Sequence, residues 1–243
     1  GGFFFGAAVA VKWTGLGYGL GGVILGWHYV RRSPTPFGIA LISMAIAPTL
    51  IYVVQWLPHL QLQPQSSPWD LFQQIHGQIW IFHRTLGQTS TIPIHPYCSP
   101  WWTWPALWRP IAYFFQELTD GTYRAIYAMG NPVLSWGGFG AVASIWVWRS
   151  RRSSQYLILC FAGHWLPWML TSRCIFLYHY MPASVFAMIA FAGLLDTVWS
   201  KGWWAPAALG GAIAAFFWWL PIYTGYPISA IHFRVLMWFP NWI

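Results

Sequence analysis

Charge is what this sequence has least of. Only 7% of its 243 residues are charged, and 4 acids stand against 12 lysines and arginines. A soluble globular chain carries about 25% charged residues, so this one cannot cover itself with water-loving surface. The shortage excludes a soluble domain and points to an integral membrane protein. It also removes nucleic-acid binding as the meaning of the +8 net charge, which has to be read loop by loop, for orientation. Cysteine is scarce: Cys98, Cys160 and Cys174 make no framework and match no metal or redox spacing. Cys160 falls in an apolar run. Cys98 and Cys174 could lie on one side and pair, but free thiols are the expectation. Nor does the opening "GGFFFGAAVAV" read as a signal peptide, because no basic region precedes it and no cleavage site follows it. That opening is half a span, since a crossing helix needs ~20 apolar residues. A fragment that starts inside a helix is the simplest expectation.

What the chain does have is apolar and aromatic residues, 57% and 21% of it, with 21 Trp. After the partial helix at 1–11, apolar runs occupy 16–30, 37–57 (with a kink expected at Pro48), 132–148, 155–170, 175–199 and 203–223. These give an all-α, multi-pass membrane fold in three parts. Residues 1–57 hold the end of one helix and two spans. Residues 58–130 form a long outer loop, and residues 131–243 form a four-helix membrane part with an outer tail. The Ala- and Gly-rich "PAALGGAIAA" of the last span permits close helix packing.

Arg31, Arg32, Arg149, Arg151, Arg152 and Lys201 fall in very short loops that alternation places on one face. By the positive-inside rule that face is cytoplasmic, so the long loop, Lys12, the 173–183 corner and the tail are outside. Within the loop, Ser67 as N-cap, Pro68 at the first helical position and Asp70 in the first turn open a helix. Trp69, Phe72, Ile75, Ile79, Phe82 and Leu86 recur at helical spacing with Gln73, Gln74, His76 and Gln78 between them. The pattern predicts an amphipathic helix lying on the outer membrane surface.

Every titratable cluster of interest is on the outer face. Lys12, Arg109 and Arg173, with His95, Tyr97, Tyr178 and His179 around them, are expected to converge there. Cations with few acids suit an anion, and a lipid-linked phosphate is the natural candidate. Trp and Tyr offer faces to a sugar ring. Blander readings stand beside this. Most Trp form an aromatic belt, Lys12 or Arg173 alone could snorkel to headgroups, and His76 could be an ordinary polar-face residue. Metal binding is not expected, because His76 and His83 are seven residues apart and no carboxylate accompanies them. No cofactor is called for.

"KWTGL", "HPYCSPWWTWPALWRPIAYF", "GNPVLSW", "FLYHYMPA" and the closing "YPIS…W" occur here in an order that resembles the protein O-mannosyltransferases, bacterial members above all. The resemblance implies the C-terminal part of a GT-C-type glycosyltransferase bundle. It also implies transfer of mannose from a polyprenyl-phosphate-mannose carrier to Ser or Thr hydroxyls of secreted or membrane proteins, at the outer face of the plasma membrane. Eukaryotic members insert MIR domains in the long outer loop, and the loop here is too short for them. The hydroxyl needs a carboxylate to activate it, and in the family that acid lies in the first outer loop. None of Asp70, Glu117 and Asp120 fits the part, so no catalytic residue is assigned to this chain and it is expected to be inactive alone. Two alternatives remain: another GT-C enzyme using a lipid-linked sugar, or a non-catalytic membrane scaffold.

Overall fold

The computed structural model describes residues 1–19, 21–22, 38–39, 42–62, 67–85, 95–148 and 151–242. Most of the expected 16–30 span with Arg31 and Arg32, the start of the 37–57 span, Leu86 and Arg149 lie outside the described residues. Two compact units result. One comprises Gly1–Thr91 with Thr171–Arg173, and the other Ile92–Leu170 with Cys174–Ile243. This is a different division from the three-part reading of the sequence.

In the first unit, helix α1 (Gly2–Val11) packs against α2 (Ala47–Val54). Gly2 and Gly6 allow this: a Cβ would lie 2.2 Å from the Ser43 carbonyl oxygen at the first and 2.7 Å from the Pro48 Cα at the second. Pro48 sits at the start of α2, and a π-helical turn at Ile42–Ile46 precedes it. Proline lacks an N–H and crowds the turn before it, so the ladder opens there. After the short α3 (Leu57–Gln61) comes α4 (Pro68–Thr85). The Leu71 N–H donates to the Ser67 carbonyl at 3.0 Å, Asp70 occupies the first turn, and His83 and Arg84 occupy the last. This charge order complements the helix dipole. The inward stripe is Leu71, Phe72, Ile75, His76 and Ile79, while Trp69 and Phe82, expected to belong to it, are exposed.

The second unit departs from the expected all-α class. It contains an antiparallel sheet in the order β1-β2-β3, made of β1 (Ile111–Glu117), β2 (Thr122–Ala128) and β3 (Ile228–Ser229). β1 and β2 are rich in β-branched and aromatic residues, and "LTDG" turns the chain between them. Gly121 takes φ 76° there, a left-handed conformation that glycine adopts at no steric cost. The Asp120 carboxylate accepts from the Thr122 N–H and hydroxyl at 2.9 and 2.7 Å. A bulge between Ala112 and Phe114 shifts the register.

The rest of the unit is helical. It consists of α5 (Pro132–Trp148), α6 (Arg151–Trp165), α7 (Met181–Val198), α8 (Trp204–Thr224) and the short α9 (Ala230–Leu236). Single 3₁₀ turns at Leu166–Leu170 and Leu177–Tyr180 join α6 to α7. Helix α7 packs against both α5 and α6, and Ala183, Phe186, Ala187 and Ala190 are buried in that contact zone. Close approach falls on α5 rather than on the glycines of α8. A Cβ on Gly138 would be 3.0 Å from the Ala187 backbone, whereas Gly210 has nothing within 4 Å. With the 3₁₀ turns before it and after it (Trp199–Lys201), α7 makes a continuous stretch from Leu177 to Lys201. That stretch and α8 are the two described helices long and apolar enough to cross a membrane.

Candidate functional site

The candidate residues divide between the two units. Lys12 and Arg173 belong to the first, and His95, Tyr97, Arg109, Tyr178 and His179 to the second.

Lys12 ends α1 in an extended conformation, φ −160° and ψ 136°, and Trp13–Gly15 turns away from it as a single 3₁₀ turn. Its side chain stays open to solvent, yet packing around the amine pulls its pKa below the usual lysine value, and the positive charge of Arg173 adds to that. Two cations are therefore held within electrostatic reach of each other. Like charges disfavour one another's ionised form, and an anion placed beside them relieves that repulsion.

Around Trp13 the first unit holds a polar chain. The indole Nε1–H donates to the Tyr52 hydroxyl at 2.8 Å, that hydroxyl lies 2.8 Å from His76 Nε2, and His76 Nδ1 lies 2.7 Å from the Phe72 carbonyl oxygen. Among the described residues His76 is thus a structural junction, not the ordinary polar-face residue that its place among glutamines suggested.

In the second unit the corner is built on a covalent tie. Cys98 and Cys174 form a disulfide, and the Ser99 N–H donates to the Ile175 carbonyl at 2.9 Å beside it. The expectation of free thiols is corrected at these two positions, while Cys160 is free and buried. His95 packs edge-on against Phe176, centroids 5.2 Å apart, and Phe176 stacks on Tyr178 at 5.5 Å. His179 is buried between the rings of Trp168 (4.2 Å), Tyr178 (4.4 Å) and Trp104 (6.0 Å), with Nδ1 held against the Phe176 backbone.

Arg109 donates from Nε to the Pro96 carbonyl at 2.6 Å and from Nη1 to the Asn241 carbonyl at 3.4 Å, and its guanidinium lies over the Tyr97 ring. The tail closes the same corner. Asn241 donates to the Trp108 carbonyl, and Trp242 donates to the Leu107 carbonyl at 2.8 Å. Leu107 is the one described non-glycine residue with positive φ, 55°. Sequence reasoning missed Tyr127 on β2. Burial pushes its phenol up to about 12, with Tyr97 adding to the rise and Arg109 opposing it.

Acids play little part. Asp70 is a helix-start residue, and Glu117 ends β1. The hydrogen bonds from Thr122 hold the exposed Asp120 carboxylate below its usual range, which makes it a poor proton acceptor. Among the described residues no group of His, Cys, Asp and Glu could hold a metal ion.

A mostly helical chain with membrane-length apolar helices, and with cations and aromatics gathered at its polar corners, defines a membrane-embedded helical protein. The model of the "C-terminal four TMM region of protein-O-mannosyltransferase" matches residues 68–152 and 145–242, and the chain belongs to that family. It is 29% identical to the polyprenol-phosphate-mannose–protein mannosyltransferase of Corynebacterium glutamicum, over 99% of this chain and 56% of the relative. It is 26% identical to dolichyl-phosphate-mannose–protein mannosyltransferase 1 of Saccharomyces cerevisiae, over 60% of this chain and 19% of that protein. The chain thus spans about half the length of the bacterial relative. The structure of the S. cerevisiae protein O-mannosyltransferase Pmt1-Pmt2 complex bound to the sugar donor shares its fold. The TM-score is 0.59 at 22% identity, covering 73% of this chain and 27% of that one.

Proposed function

We propose that this chain is the carrier-binding part of a GT-C-type enzyme that transfers mannose from a polyprenyl-phosphate-mannose to Ser or Thr hydroxyls of secreted or membrane proteins. In this reading α5 to α8 are the four membrane segments of the family's description. The short basic loops face the cytoplasm, α4 lies on the outer surface of the plasma membrane, and the acid that activates the acceptor comes from outside residues 1–243. Lys12 and Arg173 take the carrier phosphate. His95, Tyr97, Arg109, Tyr178 and His179 build an aromatic corner suited to the sugar.

The observation that carries this reading is the pairing of Lys12 with Arg173 in a chain of this family. Two cations within electrostatic reach of each other suit a phosphate, to which Arg can make two charge-assisted bonds.

The test uses the full-length enzyme in lipid nanodiscs, with polyprenyl-phosphate-mannose and a Ser/Thr-rich peptide. Transfer is expected, and Arg173→Ala should lower donor use by roughly 10- to 100-fold, about 1.4 kcal/mol per decade. Arg173→Lys should recover part of it, because lysine cannot make the bidentate fork. Unchanged dependence on donor concentration in a folded Arg173→Ala protein would remove the phosphate role. Cysteine labelling from outside should reach position 95 and miss position 151, and the reverse would overturn the orientation.

A further inference from the structure

In the sheet order β1-β2-β3, strand β1 has a partner on one side only. Its open side can be assigned residue by residue. At the hairpin end the Leu118 N–H donates to the Thr122 carbonyl at 2.8 Å. Backbone groups of an antiparallel strand alternate between its two sides. Gln116, opposite Arg124, and Phe114, opposite Ile126, therefore bond to β2. The N–H and carbonyl groups of Phe115 and Glu117 point the other way. β2 gives an independent check: Tyr123, the residue opposite Glu117, turns its own groups to Ile228 of β3. Among the described residues no backbone group meets those of Phe115 and Glu117 on the open side.

An open edge is a template for another strand, and proteins blunt it with charge, proline or a bulge. Here Pro110 and the bulge between Ala112 and Phe114 guard only the start of β1. Glu117, at its end, is the one charge it carries. Between them Tyr113, Phe114 and Phe115 are exposed. The strand is nevertheless anchored, because Phe115 packs on Tyr123 and Phe233, with ring centroids 5.3 and 5.6 Å away.

Whatever covers such an edge has to bring backbone donors and acceptors of its own. Hydrocarbon cannot, because an unpaired N–H or C=O is costly there. An extended polypeptide can, and main-chain bonds hold it while its side chains vary. The place of the edge favours one polypeptide in particular. β1 starts at Ile111, with only Pro110 between it and Arg109, so a peptide laid along β1 runs toward the corner of Arg109, Tyr97 and His95. We infer that the open edge of β1 binds the acceptor polypeptide as an added strand and leads its hydroxyls to that corner. That this polypeptide is the acceptor rests on the proposed function. That an extended chain pairs here rests on the edge itself.

The test uses the full-length enzyme in lipid nanodiscs, with polyprenyl-phosphate-mannose and a Ser/Thr-rich peptide. Glu117→Pro removes an N–H from the open side, a change that an edge strand tolerates, and Glu117→Ala removes the charge alone. Glu117→Pro should raise the peptide KM by about 3- to 10-fold, the worth of one main-chain hydrogen bond. Glu117→Ala should stay within about twofold on the same scale, and the donor KM should move in neither. N-methylation of alternate peptide residues removes donors from one side of the added strand. One alternating set should weaken transfer, and the other should not.

A readout independent of turnover is hydrogen exchange at 113–117. It should slow when the peptide is added and stay unchanged when the donor is added alone. The same peptide KM in folded Glu117→Pro and Glu117→Ala overturns the inference. Slow exchange at 113–117 before any peptide is added overturns it too, whether a second copy, the bilayer or another part of the full-length protein covers the edge. Absence of any transfer from this donor by the unmodified enzyme would instead overturn the proposed function, and the exchange result would still decide whether the edge takes a polypeptide.

Discussion

The two units hold their cations in opposite ways. In the second, Arg109 has both Nε and Nη1 engaged by backbone carbonyls, of Pro96 and Asn241, and a tyrosine ring beneath it. Such an arginine is a tether, and its charge is answered by dipoles of the protein itself. In the first, Lys12 is set against another cation, and its amine is disfavoured in the charged form. A cation's identity says little about its work, and what surrounds it says more.

The largest expected break in this comparison comes from the disulfide. Cys98 and Cys174 are 76 residues apart, and opening a loop of that size costs about 2–4 kcal/mol. Cys174→Ser, or reduction, should lower the thermal inactivation midpoint of the full-length protein. Hydrogen exchange should quicken around 95–99 and 174–180 and stay unchanged in α4. Equal loosening of α4 would mean that the two units do not behave separately.

A smaller effect separates the cations directly. Arg109→Ala should cost about 1–2 kcal/mol of stability, since hydrogen bonds from a charged donor are strong but this one is partly exposed. The donor KM should move less than in Arg173→Ala. A large KM change without loss of stability would show that Arg109, too, answers to a ligand.

The smallest effect sharpens the other side. Lys12 titrates below its unfolded value of 10.5, so its protonated form disfavours the folded state. That unfavourable contribution is fully present below the folded-state pKa and fades as pH rises toward 10.5. Arg173→Ala removes one of the two causes. The Lys12 titration midpoint, read from acylation rate against pH, should then move upward. No movement would leave burial as the sole cause and weaken the case for a paired receptor.

Much of this was legible in the residues because a bilayer permits few structures. Apolar runs read as helices, and α5 to α8 fall on the runs at 132–148, 155–170, 175–199 and 203–223. The start of α4 was visible at Ser67, Pro68 and Asp70, where local chemistry decides. The hairpin was not read, although Asp120–Gly121 is a turn signal. Its flanks, "IAYFFQE" and "TYRAIYA", are as aromatic as everything around them, and polarity no longer marks the alternation. The disulfide and the Trp13–Tyr52–His76 chain were out of reach for another reason. Their partners are 76, 39 and 24 residues apart, and no periodicity connects positions that only the tertiary fold brings together. His76 illustrates the point. On the helix it looks like one polar residue among glutamines, and only Tyr52 reveals which of its nitrogens matters.

The closure of the 107–109 corner has a consequence in time. Arg109, Trp108 and Leu107 find their partners in Asn241 and Trp242, 132 to 135 residues later. At a synthesis rate of about 5–20 residues per second, that interval is roughly seven to twenty-seven seconds. Throughout it the corner waits, its carbonyls open, while α5 to α8 are made. The stretch bearing Arg109 is therefore among the first parts of this unit to be synthesised and among the last to be completed, so its final shape reports that every helix between has already been made.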